Sequence, residues 1–170
     1  GEIGWAGKGF SFTGSARALS RMITPLKANG AGTGNTLNYL PAMTRQYTYM
    51  LANLNPYQVN AEGEIGGQVD FYYTYRSKSN RYRYWNFHAN YSTYYTLRKD
   101  QSNSGNRERL WQDINVDVTR QWSKKLKTTV LYSFQEWNPT HGSHHRTYVS
   151  NIFVADVQYK FDRKKSLRVE

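Results

Sequence analysis

The sequence predicts an all-β chain: an antiparallel up-and-down transmembrane β-barrel, or a segment of a larger one, with a short helix in one long loop. Three observations lead there. From Tyr57 to Tyr75 the odd positions read Tyr-Val-Ala-Gly-Ile-Gly-Val-Phe-Tyr-Tyr, and the even positions between them read Gln-Asn-Glu-Glu-Gly-Gln-Asp-Tyr-Thr. Successive side chains of a strand point to opposite faces, so this run has one apolar and one polar face. It is also long: ordinary strands take about 5–6 residues, whereas a membrane-crossing strand needs ~9–11. Similar runs follow it, joined by connections that alternate short and long, as in outer-membrane barrels.

The elements follow in order. Residues 10–22 set Phe10, Phe12, Gly14, Ala16 and Ala18 against Ser11, Thr13, Ser15 and Arg17. Residues 57–76 form the long strand. Residues 83–98 set Trp85, Phe87, Ala89, Tyr91, Tyr95 and Leu97 against Asn86, His88, Asn90 and Ser92. Residues 109–122 set Leu110, Ile114, Val116, Val118 and Trp122 against Asp113, Asn115, Asp117 and Thr119. Residues 126–137 carry Leu126, Val130, Tyr132 and Phe134 on one face, and 147–161 carry Val149, Phe153, Ala155, Val157, Tyr159 and Phe161. Residues 1–6 read as the tail of one strand and 167–170 as the start of another, which gives six complete strands and two stubs. A closed bacterial barrel needs at least about eight full strands, so the parent protein is expected to be longer.

Short connections fall at 7–9, 77–82, 123–125 and 162–166, and longer ones at 23–56, 99–108 and 138–146. The first set is expected on the periplasmic side and the second outside. Residues 23–56 are read as a long extracellular loop. A glycine-rich stretch, Asn29 to Asn35, is followed by Pro41 and by Met43, Tyr47, Met50, Leu51 and Leu54 at helical spacing, which predicts a short amphipathic helix near 41–53. The plainer expectation seats this loop as a lid on the barrel rim; the alternative folds it inward as a constriction.

Composition bounds the function. Only 38% of the 170 residues are aliphatic or aromatic, and the mean hydropathy is −0.82. Alternation halves a strand's apparent hydrophobicity, so this is compatible with a barrel. Fifteen Tyr and five Trp argue against disorder. The absence of cysteine excludes disulfides and thiolate sites. The net charge of +11 invites a nucleic-acid reading. However, the basic residues crowd the turns (Arg76, Lys78, Arg81, Arg83; Lys124, Lys125, Lys127; Arg163, Lys164, Lys165), as solvated hairpin ends do, and no nucleic-acid partner is expected.

Three groups of residues carry the expected chemistry. Glu62, Glu64, Asp70, Asn90, Asp113, Asp117 and Asp156 fall on the polar face and are expected to face the lumen. There they either line a cation-favouring path or pair with Arg17, Lys127 or Lys160. Val59, Ile65, Val69, Phe71, Phe87, Val116, Val130, Phe153 and Val157 are expected to face lipid. Tyr73, Tyr75, Trp85, Phe87, Trp122, Tyr159 and Phe161 lie near the short turns and are expected to form an aromatic girdle, with Tyr57, Tyr95, Leu97 and Leu110 toward the longer loops. Arg98, Lys99, Arg107, Arg109 and Arg146 are candidates for contacts with lipopolysaccharide phosphates.

His141, His144 and His145 could hold a transition metal but lack a convincing carboxylate or supporting shell, so no metal and no cofactor is expected. Gly7-Lys8-Gly9 lacks phosphate-loop spacing and reads as a turn. His88 with Asp113 or Asp117 and Ser92 could imitate a hydrolase triad; enzymatic function is not expected.

The Tyr-rich strands Asp70-Phe71-Tyr72-Tyr73-Thr74-Tyr75 and Asn90-Tyr91-Ser92-Thr93-Tyr94-Tyr95, together with Leu40-Pro41-Ala42-Met43-Thr44-Arg45-Gln46-Tyr47-Thr48-Tyr49-Met50-Leu51, resemble outer-membrane β-barrels of Bacteroidetes, closest to an uncharacterised family of such barrels. The resemblance implies residence in the bacterial outer membrane, among lipid, lipopolysaccharide and other envelope proteins. It supplies no substrate and no catalytic residues. The leading expectation is a pore, transporter or structural component of the envelope. The alternatives are a non-channel accessory subunit of an outer-membrane secretion or assembly complex, and a soluble glycan-binding β-domain.

Overall fold

Eight strands pair into one antiparallel sheet in the computed structural model, which describes residues 1–20, 24–26, 35–37, 43–45, 48–60, 63–80, 82–98, 106–138, 147–162 and 164–170. In chain order the strands are β1 (Glu2–Gly7), β2 (Phe10–Ser20), β3 (Thr24–Leu26), β4 (Asn35–Leu37), β5 (Gly63–Arg76), β6 (Tyr84–Thr96), β7 (Arg109–Gln121), β8 (Leu126–Trp137), β9 (Tyr148–Lys160) and β10 (Ser166–Val169). The main sheet runs β1-β2-β5-β6-β7-β8-β9-β10, and β3 and β4 form a separate two-stranded ribbon inside the long connection. Every pairing is antiparallel between strands consecutive in the sheet, as the meander pattern predicts. The sheet is open, with β1 and β10 as its two edges.

Register makes the two faces explicit. Asp70 lies opposite Asn90 and Tyr72 opposite His88. His88 in turn lies opposite Asp117, and Asn90 opposite Asn115. Phe71 faces Ala89, which faces Val116, then Tyr132, then Phe153. One face is therefore polar across the sheet and the other apolar.

Burial is inverted relative to a water-soluble sheet. Glu64, Ser92, Asp113, Asn115 and Ser133 on the polar face are wholly buried, while Phe153 on the apolar face is 66% exposed. Val69, Phe71, Phe87, Val116, Val130 and Val157 are exposed with it.

The polar face is covered by the chain segment that precedes β5. Its described parts, 43–45 and 48–60, cross the face in irregular conformation with a single 3-10 turn at Met50–Asn53. This corrects the predicted helix over 41–53: residues 43–45 are not helical, and the helical spacing of Met50 and Leu51 amounts to one turn. The described parts also sit deeper along the strands than a lid at their ends would. Arg45 reaches Asp117, eight residues in from Arg109 and four from Gln121. Tyr49 reaches Asp156, equally deep in β9. The described parts of the segment lie along the strands, well below their long-connection ends.

Two further expectations change. The strand read as 57–76 begins at Gly63, because Tyr57 and Val59 belong to the covering segment and are buried, so Val59 is not on the exposed apolar face. Between Tyr94 and Tyr95 the β6–β7 register shifts, leaving Leu110 as an extra residue. Such a bulge re-aims side chains. Leu110 consequently joins Trp111, which is on the polar face by parity, in a buried cluster with Tyr57, Val59 and Tyr94, so Tyr57 and Leu110 leave the outer aromatic set.

Candidate functional site

The polar face and its covering segment meet at three charged knots. At the long-connection end Glu64 accepts hydrogen bonds from Arg17 Nε at 3.0 Å and Nη2 at 2.7 Å, from the Asn60 backbone N–H at 2.8 Å, and from the Tyr57 hydroxyl. Burial, reinforced by the Glu64 charge, pushes the Tyr57 phenol far up, so it stays protonated and donates. Arg17 also lies 5.4 Å from the Tyr94 ring centroid. Gly66 makes room for that ring, since a Cβ there would stand 2.6 Å from Tyr94 Cδ1 and 2.1 Å from the Thr93 carbonyl oxygen.

Deeper on the face, His88 lies between two carboxylates, with Nδ1 2.8 Å from Asp117 and Nε2 3.0 Å from Asp70. Arg45 of the covering segment donates to Asp117 at 2.5 Å, and Asn90 and Gln68 donate to Asp70 at 2.8 and 2.9 Å. The Tyr72 ring stacks on the imidazole with centroids 4.0 Å apart. Toward the far edge Asp156 accepts from Tyr49 at 3.0 Å and from Arg168 at 2.9 Å. Burial raises the Tyr49 phenol too, with help from the Asp156 hydrogen bond. Between these knots Gln135 donates to the Ala52 carbonyl at 2.9 Å, and Tyr94 donates to the Met43 carbonyl at 2.5 Å.

Glu64, Asp70, Asn90, Asp113, Asp117 and Asp156 share the polar face; Glu62 lies outside the described residues. Their partners differ in part from those expected. Arg17 pairs with Glu64, whereas Asp156 takes Arg168 and Asp117 takes Arg45 and His88 in place of Lys127 or Lys160. The triad does not assemble. His88 Nε2 is held by Asp70, and Ser92 lies four residues along the same strand, about 13 Å away.

The girdle residues lie together on the apolar face near the short turns. Tyr73 and Trp85 each stack with Phe87, Tyr159 packs edge-on to Phe161, and Arg120 sits 4.2 Å over Trp85 and 3.7 Å over Trp122. Arg98, Arg107 and Arg109 are exposed at the long-connection end, Arg109 bonding Gln112 at 2.6 Å and also Glu136. Lys99, Arg146, His141, His144 and His145 lie outside the described residues, and no metal-holding group occurs among the described ones.

The seat of the covering segment escaped the alternation argument. Leu131, Ile152 and Val154 occupy polar-face positions, where they hold Tyr49 and Ala52. Tyr94, Trp111 and Trp137 do the same for Tyr57, Leu110 and Met43. Apolar residues on the wrong parity were the available signal.

A family model described as "Family of unknown function (DUF6029)" matches residues 1–170. No curated protein and no solved structure matches the chain.

Proposed function

We propose that this chain, which by that full-length match belongs to the DUF6029 family, is the wall of an outer-membrane β-barrel whose inward face is occluded by its own segment 43–60. The observation that carries the reading is the inversion of burial: a face with Phe153 66% and Val149 55% exposed backs onto a face with Glu64 and Asp113 at 0%. An apolar surface of this extent needs lipid or protein against it. Strands β5 to β9 run 12–14 residues, long enough to cross a bilayer at the usual tilt. Aromatic rings gathered near one end suit a membrane–water boundary. A wall of this kind closes when the edges of β1 and β10, unpaired in this sheet, find partners. The short turns then face the periplasm, and the exposed arginines at the other end face outer-leaflet phosphates.

Within this reading the protein is a pore or transporter of the envelope, closed in the state seen here. The dense filling of the polar face also favours a second reading, a non-conducting structural or accessory subunit. Membrane placement is tested by fractionating cells that express the protein. It should stay with the outer membrane through carbonate and urea washes and require detergent for release; recovery in the soluble fraction overturns the proposal. Planar-bilayer recording separates the two readings. The double variant Arg45→Ala, Tyr57→Phe should raise conductance several-fold in a pore and leave it at baseline in a scaffold.

A further inference from the structure

We propose that the long-connection end of the polar face carries a binding site for a neutral saccharide, walled by Tyr57, Trp111 and Trp137. A cavity of about 270 Å³ opens there, just below the ~300–1,000 Å³ usual for small-ligand sites and roomy enough for one sugar ring. Its lining combines those three rings with the carboxamides of Asn55, Gln58 and Asn138, and no charged residue takes part among the described ones. Aromatic faces matched with amide donors and acceptors complement a pyranose, which presents C–H faces and a rim of hydroxyls. The neutrality of the lining disfavours phosphorylated or acidic ligands.

Two further observations point to a ligand. Trp111 is 3% exposed, yet its indole Nε1–H has no hydrogen-bond partner among the described residues. Buried indole N–H groups usually find an acceptor, and a sugar hydroxyl would supply one. The cavity also belongs to a run of rings. Tyr94 to Tyr57 is 4.9 Å between centroids, Tyr57 to Trp111 5.4 Å, Trp111 to Trp137 6.3 Å, and Trp137 to Tyr148 5.8 Å. Tyr94, Tyr57 and Trp111 are packed on one another in the buried cluster, and the run reaches the surface at Tyr148, 45% exposed, which offers one further stacking position beside Trp137. The site belongs to the polar face whether or not the sheet lies in a membrane, so it stands apart from the localisation reading.

The test is calorimetric titration of the full chain, in LDAO micelles, with maltohexaose, xylohexaose, mannohexaose and laminarihexaose, and with tri-galacturonate as the acidic control. At least one neutral oligosaccharide should bind with a Kd below ~1 mM, and tri-galacturonate should bind at least tenfold more weakly. Trp111→Phe keeps a ring but removes the donor and should weaken binding about tenfold; Trp137→Ala should weaken it at least as much. Trp122→Phe, on the other face, should leave it unchanged. In unsubstituted protein with 15N-labelled indoles, the Trp111 Nε1–H resonance should shift on saturation, which decides the matter without any variant having to fold. No binding by any neutral probe, equal binding of tri-galacturonate, or a Trp111 resonance that stays fixed while sugar binds would overturn the proposal.

Discussion

Replacing Glu64 with alanine tests how the covering segment is held. The carboxylate is fully buried and accepts two bonds from Arg17, whose side chain is only 11% exposed, as well as those from Tyr57 and Asn60. Breaking a buried ion pair from one side costs about 3–5 kcal/mol, because the remaining charge is left in a poorly solvated place. Each orphaned donor adds ~1–3 kcal/mol if it stays buried. Residues 57–60 lie outside the sheet, and the ion-pair figure sets the scale. Glu64→Ala should therefore lose about 3–5 kcal/mol in urea unfolding followed by tryptophan fluorescence in LDAO micelles. Trypsin should also cut faster after Arg45. The paired change Arg17→Met, Glu64→Gln removes both charges and keeps an acceptor for Tyr57, so it should cost under ~2 kcal/mol. A loss below ~1 kcal/mol for Glu64→Ala, or a paired variant as unstable as the single one, would refute this reasoning.

Three other outcomes follow from the same geometry. In lipid vesicles Val116→Arg should cost ~2–4 kcal/mol of folding free energy, whereas Thr13→Arg, placed opposite Asp70 on the polar face, should cost under ~1 kcal/mol; equal costs would show that the apolar face does not meet lipid. Gly66→Ala should lose ~3 kcal/mol or more in the urea assay, since its Cβ would stand 2.1 Å from a backbone oxygen and force β5 and β6 apart; a change within ~0.5 kcal/mol would show that the strands yield freely. Arg120→Ala should cost ~1–2 kcal/mol and alter Trp85 and Trp122 emission, because the guanidinium contacts both rings; unchanged emission would show that the contact is absent in solution.

The meander was legible because one rule, parity, governs every long strand. Val69, Phe71, Phe87, Val116, Val130 and Val157 all fall where period 2 places them. Parity fails at Leu110, the inserted residue between the partners of Tyr94 and Tyr95, which joins the buried cluster beside Trp111. Nothing local in the run from Arg109 to Asp113 announces a bulge, whose cause is the packing of Tyr57 and Trp111 across the face. The helix expected over 41–53 failed for a related reason. Its apolar spacing was real, but Tyr49 and Ala52 are buried against Leu131 and Val154 of the sheet, not along a stripe of the segment's own. The charged half of the site was visible as residue types, and its partners were not. Arg45 and Asp117 are 72 residues apart in sequence, and no periodicity links a loop arginine to a strand aspartate.

Charge balance explains why the segment lies where it does. Asp70 and Asp117 place two carboxylates beside one imidazole, and a carboxylate only accepts hydrogen bonds. His88 meets both, and Arg45 of the segment adds a guanidinium at Asp117. Glu64 is likewise shared, half its bonds coming from Arg17 of the sheet and half from Tyr57 and Asn60 of the segment. The aromatic and aliphatic residues on the polar face, Tyr94, Trp111, Leu131 and Val154, would meet water if the segment left. Ionic and apolar terms thus favour the same seat. Whatever displaces the segment must replace the Arg45 guanidinium at Asp117 as well as the contacts of Tyr49 and Tyr57. Those contacts are what hold the segment on this face.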